Sequence, residues 1–391
     1  MAHYKILVPP PPRHRTARTV LIVAVIVVVV GAGAFVVGRH VQSDRHAASS
    51  RGDGKAHIAA PTSFTVVSTT PTTGATDVAS NQRVSVRLSS PVTGASGMPA
   101  FTPPVSGTWA KVGPETLAFR ATAPFIPTGT ETLVIPAGPS GPTATDGKAL
   151  AAPVTITFTV AQASTERLQQ LLAQLNYLPL SFTATGPAPS PADVITAQAG
   201  TLAWRWPNAP SSLMALWSEG YENVVTKGAL MDFENQSGLT VDGLAGTRVW
   251  STLLADVAAA KVDADSYTYV YVSKTLPQTL TLYENGAPVL VNIPVNTGAP
   301  GADTVDGTFP VFEHVTSSRM QGTNTDGSTY DDPNVPWASY FNGGDALHGF
   351  VRATYGSPQS NGCVEMRIAD AAQVWPLSPI GTLVTVAGPA S

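Results

Sequence analysis

The stretch Thr279-Leu280-Thr281-Leu282-Tyr283-Glu284-Asn285-Gly286-Ala287-Pro288-Val289-Leu290-Val291-Asn292-Ile293-Pro294-Val295 holds two alternating runs, Thr279 to Tyr283 and Val289 to Val295, around Glu284-Asn285-Gly286-Ala287. Asn-Gly between such runs is a strong short-range hairpin signal, because both central residues tolerate a positive φ. Just upstream, Tyr267, Tyr269 and Tyr271 alternate with Thr268, Val270 and Val272. A period of two places one set of side chains on a core and the other outward. Residues 264–391 are therefore expected to form a mostly antiparallel β domain with loops long enough to build a site.

Residues 164–262 change period. Leu168, Leu171, Leu172 and Leu175 follow the i, i+3, i+4, i+7 stripe of an amphipathic helix, with Ser164 or Thr165 as cap and Glu166 in the first turn. A second helix is expected after Thr226, with Leu230 and Phe233 inward and Gly238 as its stop. A third follows Thr247, with Val249, Trp250, Leu253, Leu254 and Val257 on one face. Residues 62–160 read as all-β. Val84, Val86 and Leu88, Leu117 and Phe119, then Val154, Ile156, Phe158 and Val160 alternate between turn signals such as Asp146-Gly147.

The first sixty residues differ again. Residues 20–37 are apolar and uncharged, behind Lys5, Arg13, Arg15 and Arg18. This is the pattern of a single membrane-spanning helix, with a cytoplasmic tail at 1–19 and the remainder outside the membrane. Ala32-Gly33-Ala34 also fits a signal-peptide cleavage site. The apolar run continues through Phe35, Val36 and Val37, which favours an uncleaved anchor. Residues 38–61, polar and small, read as a tether. Eight of the 22 basic and two of the 26 acidic residues lie in 1–60, which leaves the rest of the chain at about −10. That balance speaks against a nucleic-acid partner, whose phosphates demand a basic face. The expected whole is a mainly β multidomain protein: anchor, β-sandwich, small three-helix module and C-terminal β domain.

The chain has one cysteine, Cys363, so no internal disulfide. After residue 60 the histidines are His314 and His348. A cysteine nucleophile needs an imidazole to take its proton and donors aimed at the developing oxyanion. His348 lies fifteen residues before Cys363, and Gly362 precedes the cysteine directly. His348 is the candidate base, and the backbone at Gly362 and Asn361 is the candidate oxyanion region. Two histidines and one cysteine do not make an ordinary zinc site, and no cofactor is expected.

These residues carry a family resemblance. His348-Gly349, then Ser360-Asn361-Gly362-Cys363, resembles the signature of YkuD-type L,D-transpeptidases: a His, a gap of about a dozen to seventeen residues, then Ser/Thr-His-Gly-Cys. Val295-Asn296-Thr297-Gly298, residues 304–309 and residues 381–386 also match it. Two positions depart. The His before Gly-Cys is Asn361, and the Arg usual two residues after the Cys is Glu365, which leaves Arg367 or Arg352 to meet a substrate carboxylate. Residues 62–160 resemble a bacterial Ig-like domain. Residues 166–172, Phe233, residues 238–246 and Trp250 resemble a peptidoglycan-binding three-helix module, although residues 180–225 are longer than that module allows.

The resemblance implies acyl transfer on peptidoglycan stem peptides and trapping by carbapenem-type β-lactams. Cys363 would be the nucleophile and His348 the general base and acid. Ser360 would orient the loop, Asn361 and Gly362 would serve the oxyanion, and Gly349, Arg352, Arg367, Met320, Tyr330, Trp337 and Tyr340 would line the cleft. Residues 320–341 are expected as a loop that walls or lids that cleft. The alternative is a membrane-anchored wall-binding scaffold with a degenerate catalytic domain. A cysteine endopeptidase of the NlpC/P60 type has its Cys before its His, the reverse of the order here.

Overall fold

The computed structural model describes residues 63–93 and 97–388. The tail, anchor and tether expected over 1–61 lie outside them. Among the described residues no helix is long and apolar enough to cross a membrane.

The first domain is built from β1 (Val66–Thr70), β2 (Ala75–Val78), β3 (Val84–Leu88), β4 (Ala100–Thr102), β5 (Gly107–Lys111), β6 (Thr116–Ala121), β7 (Thr130–Ile135) and β8 (Val154–Val160). They form two four-stranded sheets, β1-β3-β6-β5 and β2-β8-β7-β4. The alternation places Val84, Val86 and Leu88 inward from one sheet and Ile156, Phe158 and Val160 from the other, in one core with Phe119 and Phe125. This is a two-layer sandwich.

The second region holds α1 (Thr165–Gln174), β9 (Leu180–Ala184), β10 (Gly200–Trp204), α2 (Ser211–Met214), α3 (Val224–Gln236) and α4 (Thr247–Ala258). Ser164 caps α1 by accepting from the Arg167 amide. Two expectations change. The second helix starts at Val224, earlier than the apolar stripe suggested, because Asn223 accepts the Thr226 amide at 2.9 Å and fixes the first turn there. The module is also not purely helical: β9 and β10 pair antiparallel. Leu180 is buried in the helical core and Phe182, Leu202 and Trp204 pack on it, so the hairpin presents one apolar face to the helices.

The third region holds β11 (Thr268–Ser273), β12 (Thr279–Glu284), β13 (Ala287–Pro294), β14 (Gly307–Pro310), β15 (Glu313–Thr323), β16 (Thr329–Asn342), β17 (Asp345–Gly349), β18 (Val364–Met366), α5 (Ile368–Val374) and β19 (Leu383–Ala387). The β12–β13 turn has Asn285 at φ 50° and Gly286 at φ 77°, the two positive values that Asn-Gly permits. The sheets are β13-β12-β11-β19-β14 and β15-β16-β17-β18. All pairings are antiparallel except β11 with β19 and β17 with β18. The inner faces share a core of Val270, Leu282, Leu347, Val364, Val384 and neighbours. The expected loop over 320–341 is instead the long hairpin β15–β16, whose register runs from Glu313↔Tyr340 to Thr323↔Thr329. Its apolar alternation is interrupted by polar residues and prolines, which hid the strands.

The second and third regions are packed as one body. Tyr269 of β11 and Leu383 of β19 belong to the same buried cluster as Leu171, Phe233 and Trp250. The Tyr269 hydroxyl bonds to Ser212 Oγ (3.0 Å) and Thr385 Oγ1 (2.8 Å). α3 approaches the turn before β19 so closely that a Cβ on Gly228 would stand 2.6 Å from the Gly381 carbonyl oxygen.

Candidate active site

The parallel pair β17–β18 brings His348 and Cys363 to one place. Its register sets Leu347 beside Val364 and His348 beside Glu365. Leu347 and Val364 point into the core between the sheets. Side chains alternate along a strand, so Ala346, His348, Cys363 and Glu365 take the opposite face. There Cys363 packs with Met320, Val335, Ala338, Tyr340 and Ala346. Met320, Tyr330, Asp332, His348, Phe350, Asn361, Cys363 and Glu365 enclose a cavity of about 20 Å³. That is room for roughly one water molecule. Both Cys363 and His348 are 3% exposed.

The loop before Cys363 is tied on several sides. Thr304 Oγ1 donates to the Gly362 carbonyl (2.6 Å) and accepts the Gly298 amide (2.8 Å). Asn296, fully buried, exchanges backbone bonds with Glu365 and accepts the Gly356 amide at its side chain. Ser360 Oγ donates to the Cys363 carbonyl and accepts the Gly362 amide at 3.2 Å. Ser360 thus closes the turn. The Gly362 N–H expected at an oxyanion is occupied by that hydroxyl. Glycine is required there for another reason: its φ is +116°, and a Cβ would collide with the Asp345 carboxylate.

The Asn361 side chain has a further part, as a tie to the β15–β16 turn. Asp326, an acceptor, receives the Ser328 hydroxyl; Ser328 Oγ accepts from Asn324 Nδ2; and Asn324 Oδ1 accepts Asn361 Nδ2 at 3.1 Å. The carboxylate fixes the direction of this chain of bonds. One N–H of the Asn361 amide is therefore committed to the β15–β16 turn, and its oxygen is a buried acceptor without a hydrogen-bond partner.

The electrostatics set the resting protonation. Burial pushes the Cys363 thiol well above its usual range, and the Asp345 and Glu365 carboxylates add to this. The thiol donates to the Gly344 carbonyl at 3.6 Å. Burial also holds His348 below the usual imidazole range, against the opposing pull of Glu365. His348 Nδ1 lies 3.2 Å from the Gly349 carbonyl. A carbonyl only accepts, so Nδ1 carries the proton and Nε2 is left as the basic nitrogen. A neutral thiol beside a neutral imidazole can exchange one proton and form an ion pair when a substrate arrives.

The remaining expected residues divide. Met320 and Tyr330 line the cavity from the β15–β16 hairpin. Gly349 contributes its carbonyl, and a Cβ there would stand 3.1–3.3 Å from Ile368, Ala371 and Pro336. Arg352 is bound in two places to Glu365, both at 2.7 Å. Neither Gly349 nor Arg352 is a cavity wall, and three further residues are not either. Trp337 packs on Trp375 at 5.4 Å. The Tyr340 hydroxyl is spent on Ser318 at 2.7 Å. Arg367 pairs with Asp370 and lies over Tyr355, 5.1 Å from its centroid. Sequence reasoning missed Asp345, whose carboxyl burial drives up to about 7. Its only signal was an acid after the Gly343-Gly344 turn, three residues before His348. Asp332 was missed also; burial raises its carboxyl above the usual range.

Residues 267–386 match the L,D-transpeptidase catalytic domain family, YkuD, and residues 60–160 match a bacterial Ig-like domain. The chain therefore carries both domains. No curated protein matches the chain. Among solved structures, an L,D-transpeptidase from Mycobacterium smegmatis is 13% identical over 83% of this chain and 100% of that one, with a TM-score of 0.28. L,D-transpeptidase 3 from Mycobacterium tuberculosis is 13% identical over 82% and 98%, with a TM-score of 0.29. The catalytic domain of the E. faecium L,D-transpeptidase is 23% identical over 32% and 100%, with a TM-score of 0.28. At these scores the structural likenesses carry no argument.

Proposed function

We propose that this chain, with its L,D-transpeptidase catalytic domain, cross-links peptidoglycan stem peptides through a thioester on Cys363. The observation that carries the reading is the enclosure of Cys363 and His348 in one cavity on adjacent parallel strands. The Cys363 sulfur attacks the carbonyl carbon of the third residue of a donor tetrapeptide, and its proton passes to His348 Nε2. The tetrahedral intermediate collapses, the bond to the terminal D-Ala nitrogen breaks, and the imidazolium returns the proton to that amine. An amine of a neighbouring stem then attacks the thioester and restores the thiol. Burial of a neutral His348 suits this double use, because Nε2 holds no proton until the thiol supplies one.

A cavity of about 20 Å³ is far too small for a peptide. The β15–β16 hairpin, which contributes Met320 and Tyr330 and is tied to the nucleophile loop by the Asn324–Asn361 bond, is the element whose displacement would widen it. Carbapenem acylation of Cys363 belongs to the same proposal, as does anchorage by residues 20–37 with the folded regions outside the membrane. Wall binding by the α1–α4 region is a further part of it. The alternative of a non-catalytic scaffold predicts no covalent chemistry. Mass spectrometry after incubation with a stem tetrapeptide separates the two. Loss of D-Ala with an adduct on Cys363, absent in Cys363→Ala, is expected. Turnover retained in Cys363→Ala, or an unmodified parent protein, would refute the reading.

A further inference from the structure

Glu365 stands two residues beyond the nucleophile, on the face that carries it, and beside His348 in the strand register. It is 3% exposed. Its two oxygens accept from Arg352 Nε and Nη2, both at 2.7 Å. The Arg352 guanidinium lies 4.8 Å from the Phe350 ring centroid, and the Phe350 ring meets the His348 ring edge-to-face at 6.0 Å and 88°. Arg352 thus links Glu365 to Phe350, whose ring packs on His348, and Glu365 and His348 line one cavity. A buried ion pair is costly to desolvate, and apolar residues of similar volume often hold a fold as well. Its place against the imidazole is the feature that stability alone does not explain.

We propose that Glu365, clamped by Arg352, is a positioning residue for His348: the pair fixes the imidazole beside Cys363 and sets a carboxylate against the imidazolium formed when the thiol gives up its proton. This rests on reading His348 as the base. Arg352 holds the carboxylate in one orientation through a two-point contact. Other charged or titratable groups face the same space. Asp332 and Tyr330 come from β16, Cys363 from the loop before β18, and Asp345 of β17 acts on the thiol. Asp332 senses both Arg352 and Glu365. Around His348, Glu365 is the largest influence favouring the charged ring, and Arg352 the smallest of those opposing it. Removing the carboxylate should therefore make the ring harder to protonate, even if Arg352 leaves with it.

The test measures acylation by a carbapenem against pH in the full chain, together with the titration of the His348 ring by NMR. The His348 resonance is assigned by its loss in His348→Asn. In Glu365→Gln the acid limb should move down by about one pH unit. Glu365→Asp should keep the parent's limb. If Glu365→Gln does not fold, the double variant Glu365→Gln/Arg352→Met, which leaves no unpaired charge, should show the same displacement. A limb unmoved in the variants that lack the carboxylate would overturn the proposal, even with a lower rate, because that pattern is structural only. A parent enzyme that no carbapenem acylates would count against the transpeptidase reading instead. The ring titration would then decide this inference by the same displacement.

Discussion

Asp345→Asn should change how stability depends on pH. In the fold the Asp345 carboxyl sits at about 7, raised from 3.8 chiefly by burial. Between those values the native state holds a proton that the unfolded chain has lost. Stability therefore falls as pH rises through this window and stays lower above it. The full penalty is roughly 4 kcal/mol at about 1.36 kcal/mol per pH unit, and partial exposure of the group reduces this to ~2–4 kcal/mol. Asparagine has nearly the same shape and no charge. Its oxygen can still accept from Asn342 Nδ2, which lies 3.4 Å from the carboxylate in the parent. Parent and variant should melt together near pH 4, and the variant should gain on the parent up to pH 8. The gap at pH 8 should be roughly 5–15 °C. Thermal melts by circular dichroism at four or five pH values give the difference directly. Subtracting the two curves removes other groups that titrate there, such as Asp232, also raised to about 7 by burial. The variant should also alkylate faster at Cys363 near neutral pH, since Asp345 helps keep that thiol protonated. Parallel melting curves from pH 4 to 8 would show that the carboxylate is not buried as described, and that the argument about the thiol fails with it.

The other expectations are shorter. His348→Ala should slow acylation by about 10²–10⁴. His314→Ala should leave the acylation rate within a few-fold and cost about 1–2 kcal/mol of stability, because that ring stacks on Trp375 at 4.0 Å and donates to its carbonyl. Asn361→Ala frees the β15–β16 turn from the nucleophile loop, so acylation should weaken, but less than in His348→Ala; a variant as inactive as Cys363→Ala would give this side chain a direct chemical role. A fragment of residues 264–391 should melt well below 162–391, since it exposes Tyr269 and Leu383, each worth about 1.5–3 kcal/mol of burial. Equal melting temperatures would mean that the regions fold separately.

The sequence by itself determined the features that depend on neighbours along the chain. Alternation at Val84, Val86 and Leu88 or at Tyr269 and Tyr271 announces strands. Asn285-Gly286 announces its turn, and the stripe from Leu168 to Leu175 announces its helix. The pairing of one late histidine with one cysteine was also legible, because so few other residues could do that chemistry. What only the tertiary structure decided depends on side chains that meet across strands. Nothing near Gly362 says that the Asp345 carboxylate fills the space a Cβ would need. Glu365 looked like a lost cation site until β17 and β18 aligned it with His348 and Arg352 closed on it. That the Asn361 amide is tied to the β15–β16 turn emerges only from a chain of bonds that runs from Asp326 through Ser328 and Asn324. The β9–β10 hairpin stayed hidden because its apolar face exists only once the helices are there to cover it. Local propensity is written residue by residue, whereas the charge and hydrogen-bond state of a buried site is set by groups that only the fold brings together.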